Sequence, residues 1–287
     1  MYTIVINSSS DLTEQLRKEF DFVLAPLKFN VKGSEYVNYL DYHNLDVKDF
    51  YQMLRDGEVA TTSQLNVAEF EEIIQAEFDK GKDVLILSFS SALSGTYNSA
   101  RIAVESFKDH KQKVYLLDTK AASLGEGLIA YIAGLKQKEG KTIEEVYKYI
   151  EDIKLNVAHW FTVDDLMFLK RGGRLGGASA LIGSILSIKP ILHVDIEGRL
   201  IPMEKARGRK RALQALVDKV KETHDPNLPK DVFISHGDDE EAALLVKEKI
   251  EALGLDLKVT LVNYIGPVIG AHSGPRTIAV FFFATQR

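Results

Sequence analysis

The stretch that decides the fold is DVLILSFSSALSGTYNSA, residues 83–100. Its first half is an apolar run without polar alternation, which is typical of a strand that helices cover on both faces. Its second half carries hydroxyl residues that open a helix. Because the first-turn N–H groups of a helix have no internal partners, they can hold an anion, and Ser94, Gly95 and Thr96 stand where that anion would lie. A simple helix cap by Ser94 explains the local pattern equally well.

Strands and helices alternate on both sides of this stretch. Asp11 with Glu14 and Thr142 with Glu145 have the spacing of capping boxes, and Asn66 is a predicted N-cap. Strands are predicted at residues 2–6, 23–31, 83–88 and 114–118, and helices at residues 12–20, 48–54, 67–80, 124–138 and 143–154. This alternation predicts a three-layer α/β domain with a mainly parallel sheet.

The pattern changes after residue 156. A hairpin is predicted with its turn at Glu197-Gly198, within KPILHVDIEGRLIPMEKA. Further strands are predicted in AHWFTVDDL and at residues 231–235, 257–265 and 277–284, and helices at residues 209–223 and 239–253. We therefore predict two domains, residues 1–156 and residues 157–287, the second a smaller mixed-sheet α/β domain.

Composition excludes several classes of protein. The chain has 287 residues with 45% hydrophobic and 27% charged, which fits two ordinary globular domains rather than a disordered chain. The absence of cysteine excludes disulfides, thiolate metal sites and a cysteine nucleophile. A net charge of −5 argues against nucleic-acid binding. With no signal-peptide pattern and no apolar run of about 18 residues, we expect a cytoplasmic protein.

Three further segments carry candidate functional residues. ATTSQLN, residues 60–66, places hydroxyl groups just before a helix, and YIGPVIGAHSGP, residues 264–275, places His272 in a predicted Gly-Pro loop between two strands. LKRGGR, residues 169–174, and EKARGRKRAL, residues 204–213, are basic, and the second places five cations at or before a predicted helix start, where the dipole disfavours them. An anionic ligand or an acidic partner would explain these cations, although a solvated surface is the simpler interpretation.

The chain resembles the DegV family, whose members include the fatty-acid-binding subunits of bacterial fatty acid kinase. The resemblance rests on NSSSDL at residues 7–12, TSQ at 62–64, SSALSGTYNSA at 90–100, LKRGGR, SIKPIL at 187–192 and GPVIGAHSGP at 266–275, in family order over essentially the whole chain. Family members usually carry aspartate in place of Asn7, proline in place of Leu65, and glycine in place of Arg276.

The resemblance implies a carrier, not an enzyme, with no cofactor and no metal. Such a carrier encloses one long-chain fatty acid in a buried tunnel between its two domains, with the carboxylate held by Thr62, Ser94 and His272, beside Gly95 and Thr96. A partner kinase then phosphorylates that carboxylate to an acyl-phosphate for phospholipid synthesis. Arg174, Arg207 and Arg209 are the expected kinase-docking residues. A transient contact with a membrane surface would load the lipid.

The residues suggest two alternative functions. A serine hydrolase would use Ser94 as nucleophile and His272 as base, but Ser94 is not in a Gly-x-Ser-x-Gly elbow and no acidic partner can be assigned to the histidine. A nucleotide-binding kinase would need a phosphate loop, and RLGGASALIG, residues 174–183, lacks the required lysine and hydroxyl pair. Sequestering a C16 chain supplies roughly 11 to 12 kcal/mol before the costs of immobilising it, so a lipid carrier needs little affinity from its head-group residues.

Overall fold

The fold is described from a computed structural model, which covers residues 1–175 and 188–287. Residues 176–187 lie outside this description, and with them most of RLGGASALIG and Ser187 of SIKPIL. A four-stranded parallel sheet has the order β2-β1-β6-β7, in which the strands are β1 (Tyr2–Asn7), β2 (Val23–Ala25), β6 (Asp83–Ser88) and β7 (Val114–Asp118). This arrangement confirms the predicted parallel sheet, although the region predicted as one strand at 23–31 divides at Pro26.

Helices cover both faces of the parallel sheet, as its uninterrupted apolar strands predict. The helices that contact its strands are α3 (Val67–Phe78), α4 (Thr96–Glu105), α5 (Leu124–Lys138) and α6 (Ile143–Ile153). Two further helices, α1 (Glu14–Glu19) and α2 (Val47–Arg55), precede them in the chain. The capping box predicted for α6 and the N-cap Asn66 predicted for α3 are confirmed, and Glu69 completes a capping box at α3 as well. The capping box predicted at Asp11 is wrong, because the Thr13 side chain caps α1 instead. Asp11 is buried, has a left-handed backbone conformation, and accepts hydrogen bonds from Ser123 and Gly266.

A six-stranded mixed sheet follows, with the order β10-β9-β8-β13-β11-β12. Its strands are β8 (Val157–Thr162), β9 (Ile188–Val194), β10 (Leu200–Arg207), β11 (Asp231–His236), β12 (Lys258–Tyr264) and β13 (Ile278–Phe283). The predicted β9–β10 hairpin is confirmed, with Gly198 at φ 82° in its turn. Helices α8 (Arg209–Thr223) and α9 (Glu240–Glu251) pack on one face of this sheet.

Helix α5 lies between the two sheets and joins their cores. It contacts β6 of the parallel sheet and β8, β11 and β13 of the mixed sheet. Because it packs on two sides, ten of the eleven positions from Leu124 to Gly134 are buried, all but Tyr131. One core cluster therefore runs from Leu87 through Leu128 to Phe281, and two more clusters fill the outer faces of the two sheets. The domain boundary after residue 156 stays a prediction.

Two elements differ from the sequence expectation. Thr61–Ser63, for which no strand was predicted, forms a short strand, β5, in a third sheet with the order β4-β3-β5, where β3 is Lys28–Val31 and β4 is Ser34–Val37. The predicted Gly-Pro loop around His272 is instead a helix, α10 (Pro267–Ser273), with Pro267 at its first position. Proline suits that position because it needs no N–H partner there and its φ is already helical.

The remaining α-helix of the described residues is α7 (Met167–Arg171), which packs against α10, and short 3-10 helices lie at Ser8–Ser10 and Lys154–Asn156. Within residues 1–175 and 188–287, no helix has both the length and the apolar character that crossing a membrane requires.

Candidate functional site

An apolar cavity of about 410 Å³ lies between the parallel sheet and the mixed sheet. Its walls carry aromatic and aliphatic side chains from both sides, including Phe89, Leu93, Phe161, Leu169 and Phe281. A volume of roughly 300–1,000 Å³ with mainly apolar walls and a few polar groups is typical of a small-ligand site. The cavity therefore has the chemistry of a site for an apolar molecule with one polar end.

Thr62 and His272 form the polar pair of this cavity. Thr62 is the central residue of β5, and His272 lies in the last turn of α10, so the third sheet and the short helix bring together residues 210 positions apart. The Thr62 Oγ1–His272 Nε2 distance is 2.8 Å. Both side chains line the cavity, as does Ser94. The structure thus places these three predicted head-group residues around one space.

Ser94 lies just before helix α4, whose N-cap is Gly95. The Ser94 hydroxyl oxygen accepts the Thr96 N–H at 3.2 Å and lies 2.9 Å from the Thr96 hydroxyl. Gly95 does not line the cavity, but a Cβ there would lie 2.0 Å from Gln64 Oε1. Gly95 therefore lets the TSQ segment approach the start of α4, and Thr96 holds the Ser94 side chain.

The imidazole of His272 is neutral at physiological pH. Burial, and after it the charge of Arg174, lowers the pKa of His272 to about 4. Its Nδ1 atom is buried and has no hydrogen-bond partner among the described residues. Gly172 packs directly on this ring, since a Cβ at Gly172 would lie 2.1 Å from Nδ1. Such a neutral ring carries one proton and can accept at its other nitrogen.

Arg174 is half-buried and lines the same cavity, although the sequence analysis assigned it to kinase docking. Its Nε donates to the Leu93 carbonyl at 3.1 Å and its Nη1 donates to the Gly172 carbonyl. No carboxylate of residues 1–175 or 188–287 pairs with it, and burial alone lowers its pKa. A half-buried cation in this position favours an anionic ligand, because an unpaired charge is costly in a low-dielectric site.

The other two predicted docking arginines lie away from the cavity lining. Arg207 is exposed at the end of β10, and Arg209 pairs with Asp239 at 2.7 Å. Arg276, the departure from the family pattern closest to His272, has its Nε 3.4 Å from the same Asp239 carboxylate. The cation of Arg276 is thus directed to Asp239, and Arg174 is the cation that influences His272.

A second polar group of the cavity lining was not anticipated from the sequence. Ser9 donates to Glu126 at 3.0 Å, Ser123 donates to Asp11 at 2.6 Å, and His159 Nε2 accepts the Ala122 N–H at 3.3 Å. Burial raises the pKa of Glu126 well above its usual value and that of Asp11 to about 7. These side chains are satisfied by the protein, so they can lie beside a hydrocarbon chain. Ser9 and Asp11 belong to NSSSDL, residues 7–12, and this motif was the sequence feature that could have pointed to the second polar group.

The geometry does not build a hydrolytic triad in the described residues. Ser94 hydrogen-bonds to Thr96 and His272 hydrogen-bonds to Thr62, and no hydrogen bond between Ser94 and His272 joins the would-be nucleophile to its base. No acidic side chain of these residues accepts a hydrogen bond from the His272 ring. Nor do the described residues contain a cluster of three or more His, Cys, Asp or Glu side chains placed to hold a metal ion.

Fold and site together define an α/β protein with a ligand cavity between a parallel and a mixed sheet. A family model described as "Uncharacterised protein, DegV family" matches residues 1–285. A DegV domain-containing protein of Clostridium perfringens is 42% identical over 289 residues, covering 100% of this chain and 98% of that protein. The chain therefore belongs to the DegV family, which confirms the resemblance.

Two solved structures extend the comparison. A DegV family protein from Thermus thermophilus, described by its fatty acid binding, has a TM-score of 0.88 at 32% identity and covers 99% of both chains. DegV from Bacillus subtilis, described as a fatty acid binding protein, has a TM-score of 0.86 at 31% identity, also covering 99% of both chains. The two-domain α/β fold class is confirmed by these similarities.

Proposed function

We propose that this chain binds one long-chain fatty acid, with the tail in the apolar cavity and the carboxylate at Thr62, Ser94 and His272. The observation that carries the proposal is the single cavity that combines apolar walls with this hydroxyl–imidazole pair and an arginine without a carboxylate partner in the described residues. Similar DegV proteins described as binding fatty acids support it.

Affinity comes mainly from the tail. Each buried methylene contributes about 0.8 kcal/mol, so a C16 chain supplies most of the binding free energy without a strong head-group contact. The polar lining at Ser9, Ser123 and His159 does not oppose this, because each of these groups already bonds to the protein.

The head group is held by few donors, which leaves one carboxylate oxygen free. When the neutral imidazole donates its Nε2 proton to Thr62 Oγ1, the Thr62 hydroxyl proton is available to the carboxylate. Arg174 adds a charged donor, but its Nε and Nη1 already bond to the carbonyls of Leu93 and Gly172. The pair of donors that includes Nε is therefore not available to bind both oxygens of the carboxylate.

A carboxylate with one free oxygen is suited to attack a phosphoryl donor. We infer that this chain is a non-catalytic cytoplasmic carrier that presents the carboxylate to a partner kinase, which makes an acyl-phosphate for phospholipid synthesis. No resident cofactor is needed for that role. Arg207, exposed at the end of β10, is a candidate contact for the kinase, and a transient contact with a membrane surface would load the lipid.

The binding proposal is tested by native mass spectrometry of the purified chain and by analysis of extracted lipid. We expect one fatty acid per chain, and Ser94→Ala to weaken palmitate binding by about tenfold, the effect of one lost charge-assisted hydrogen bond. Ser91→Ala is the matched control, because Ser91 is exposed nearby and does not line the cavity. A chain that neither retains nor binds fatty acid would contradict the proposal.

The kinase role is tested separately, by adding ATP and a candidate kinase to the palmitate-loaded chain and trapping acyl-phosphate with hydroxylamine. Hydroxamate formation that needs both proteins is the expected result. Covalent labelling of Ser94 by a fluorophosphonate would instead support a hydrolase.

A further inference from the structure

Arg287 lies where the chain crosses from the parallel-sheet part of the fold to the mixed-sheet part. Its three nitrogens donate to main-chain carbonyls, Nε to Val157 at 3.0 Å, Nη1 to Lys120 at 2.5 Å and Nη2 to Lys154 at 2.7 Å. Val157 begins β8 of the mixed sheet, whereas Lys120 follows β7 and Lys154 follows α6, which packs on the parallel sheet. One guanidinium therefore joins the two parts of the fold.

The loop at residues 119–123, which Arg287 contacts, is part of the wall of the apolar cavity. Ala122 lines the cavity, and its N–H donates to His159 Nε2 on β8 at 3.3 Å. Lys120 has a φ of 54°, in the left-handed region that costs a residue with a side chain some free energy. The loop therefore depends on contacts with the mixed-sheet part for its conformation, and the bond from Arg287 to the Lys120 carbonyl is one of them.

The guanidinium of Arg287 is a cation that is held by neutral acceptors. Burial lowers its pKa to about 10, so it keeps its charge at neutral pH. None of the carboxylates in residues 1–175 and 188–287 forms an ion pair with it. A hydrogen bond to a neutral carbonyl is weaker than one to a carboxylate, and breaking it leaves no buried carboxylate unpaired. These three bonds are therefore suited to break and form again.

We propose that Arg287 is a reversible clasp, which keeps the cavity closed at the seam between residues 119–123 and residues 154–157. When its three bonds break, the seam opens and the bound molecule can enter or leave. The inference rests on the proposed function and adds to it the contact that controls exchange of the fatty acid. Because the cavity walls come from both parts of the fold, separating those parts opens the cavity while each sheet stays intact.

The clasp is made whether the cavity is empty or occupied, and this gives it a kinetic signature. Removing it destabilises the closed protein in both states, but not the open protein, in which its bonds are already broken. Association and dissociation should therefore become faster by the same factor, with the equilibrium affinity unchanged. A contact that only shapes the closed cavity would change the affinity instead.

Both rates are measured on the full chain by stopped flow with cis-parinaric acid, a fluorescent long-chain fatty acid, and with excess albumin as the acceptor for release. We expect Arg287→Gln to raise both rates about tenfold. Arg287→Lys keeps a charge but offers one nitrogen to three carbonyls, so it should resemble Arg287→Gln. Arg199→Gln is the matched control and should change neither rate, because this exposed guanidinium pairs with Asp195 within its own turn.

Rates equal to those of the unmodified chain overturn the clasp and leave the fatty-acid carrier intact, and so does a weaker affinity with an unchanged association rate. If the chain binds no fatty acid, the proposed function fails, and hydrogen exchange of the Ala122 amide then tests the clasp separately. Faster exchange in Arg287→Gln than in the unmodified chain and in Arg199→Gln supports the clasp. Equal exchange in all three proteins overturns it.

Discussion

The buried carboxyl of Asp11 makes the stability of this protein depend on pH in a predictable direction. Asp11 is 1% exposed, and its two oxygens accept hydrogen bonds from Ser123 Oγ at 2.6 Å and from the Gly266 N–H at 2.9 Å. It thereby connects β1 and α5 to the start of α10, which carries His272. Burial raises the pKa of Asp11 from 3.8 to about 7. We consider the substitution Asp11→Asn, whose amide can accept from Gly266 and donate to Ser123.

The direction in which the free energy of unfolding changes with pH follows from the linkage between proton binding and folding. Between pH 3.8 and about 7 the folded protein keeps the Asp11 proton, whereas the unfolded chain has released it. The stabilisation from the protonated Asp11 carboxyl is therefore fully present below the unfolded-state pKa of 3.8 and is lost as the pH rises through the folded-state pKa of about 7. The free energy of unfolding of the unmodified chain, relative to that of Asp11→Asn, should fall by about 1.4 kcal/mol per pH unit in this window. The total change is about 4 kcal/mol, as an order of magnitude.

The assay is urea unfolding of both proteins at several pH values across this window, with the difference in unfolding free energy plotted against pH. Asp109→Asn is the control, because it removes an exposed carboxylate from the surface and should give a difference that is flat or nearly flat. Parallel curves for the unmodified chain and Asp11→Asn would refute the reasoning, since they would show that the carboxyl does not change its protonation between the two states.

Two further substitutions test the cavity. Gly172→Ala places a Cβ 2.1 Å from His272 Nδ1, so the imidazole must move away from Thr62, and we expect palmitate affinity measured by calorimetry to fall by about tenfold. Unchanged affinity would mean that the ring position is unimportant. Ala279→Leu adds three carbons to the wall of the tail cavity and should cost palmitate about 2 kcal/mol of binding, while an acid three methylenes shorter loses little. An equal loss for both acids would place the tail elsewhere.

Much of the fold was predictable because its signals are local. The apolar runs of β1, β6 and β7, the N-cap of α3 and the capping box of α6 depend on neighbouring residues, and all are confirmed. The predictions that failed concern residues whose conformation depends on partners far away in the chain. β5 has three polar residues and exists only because Thr61–Ser63 pairs with β3, which lies about thirty residues earlier in the chain. Asp11 resembles a cap locally, but its carboxyl is taken by Gly266 and Ser123.

The amino-acid composition of α10 does not indicate a helix. Gly266, Pro267, Gly270 and Gly274 indicate a loop when they are considered one by one. In the structure Pro267 opens the helix, and a Cβ at Gly270 would lie 2.7 Å from the Tyr51 hydroxyl, so glycine there permits close packing on α2. Packing on α2, β3 and α7 therefore decides the conformation of the segment that carries His272.

By itself the sequence determined the alternation of strands and helices, the family, and Thr62, Ser94 and His272 as candidate head-group residues, since these depend on local patterns and on ordered motifs. The tertiary structure alone decided that Thr62 lies 2.8 Å from His272, that Arg174 lines the cavity, and that Gly172 packs on the His272 ring. The physical reason is that a cavity is the space left between side chains from distant segments. Its size and charge depend on how those segments pack, which the order of residues along the chain does not show directly.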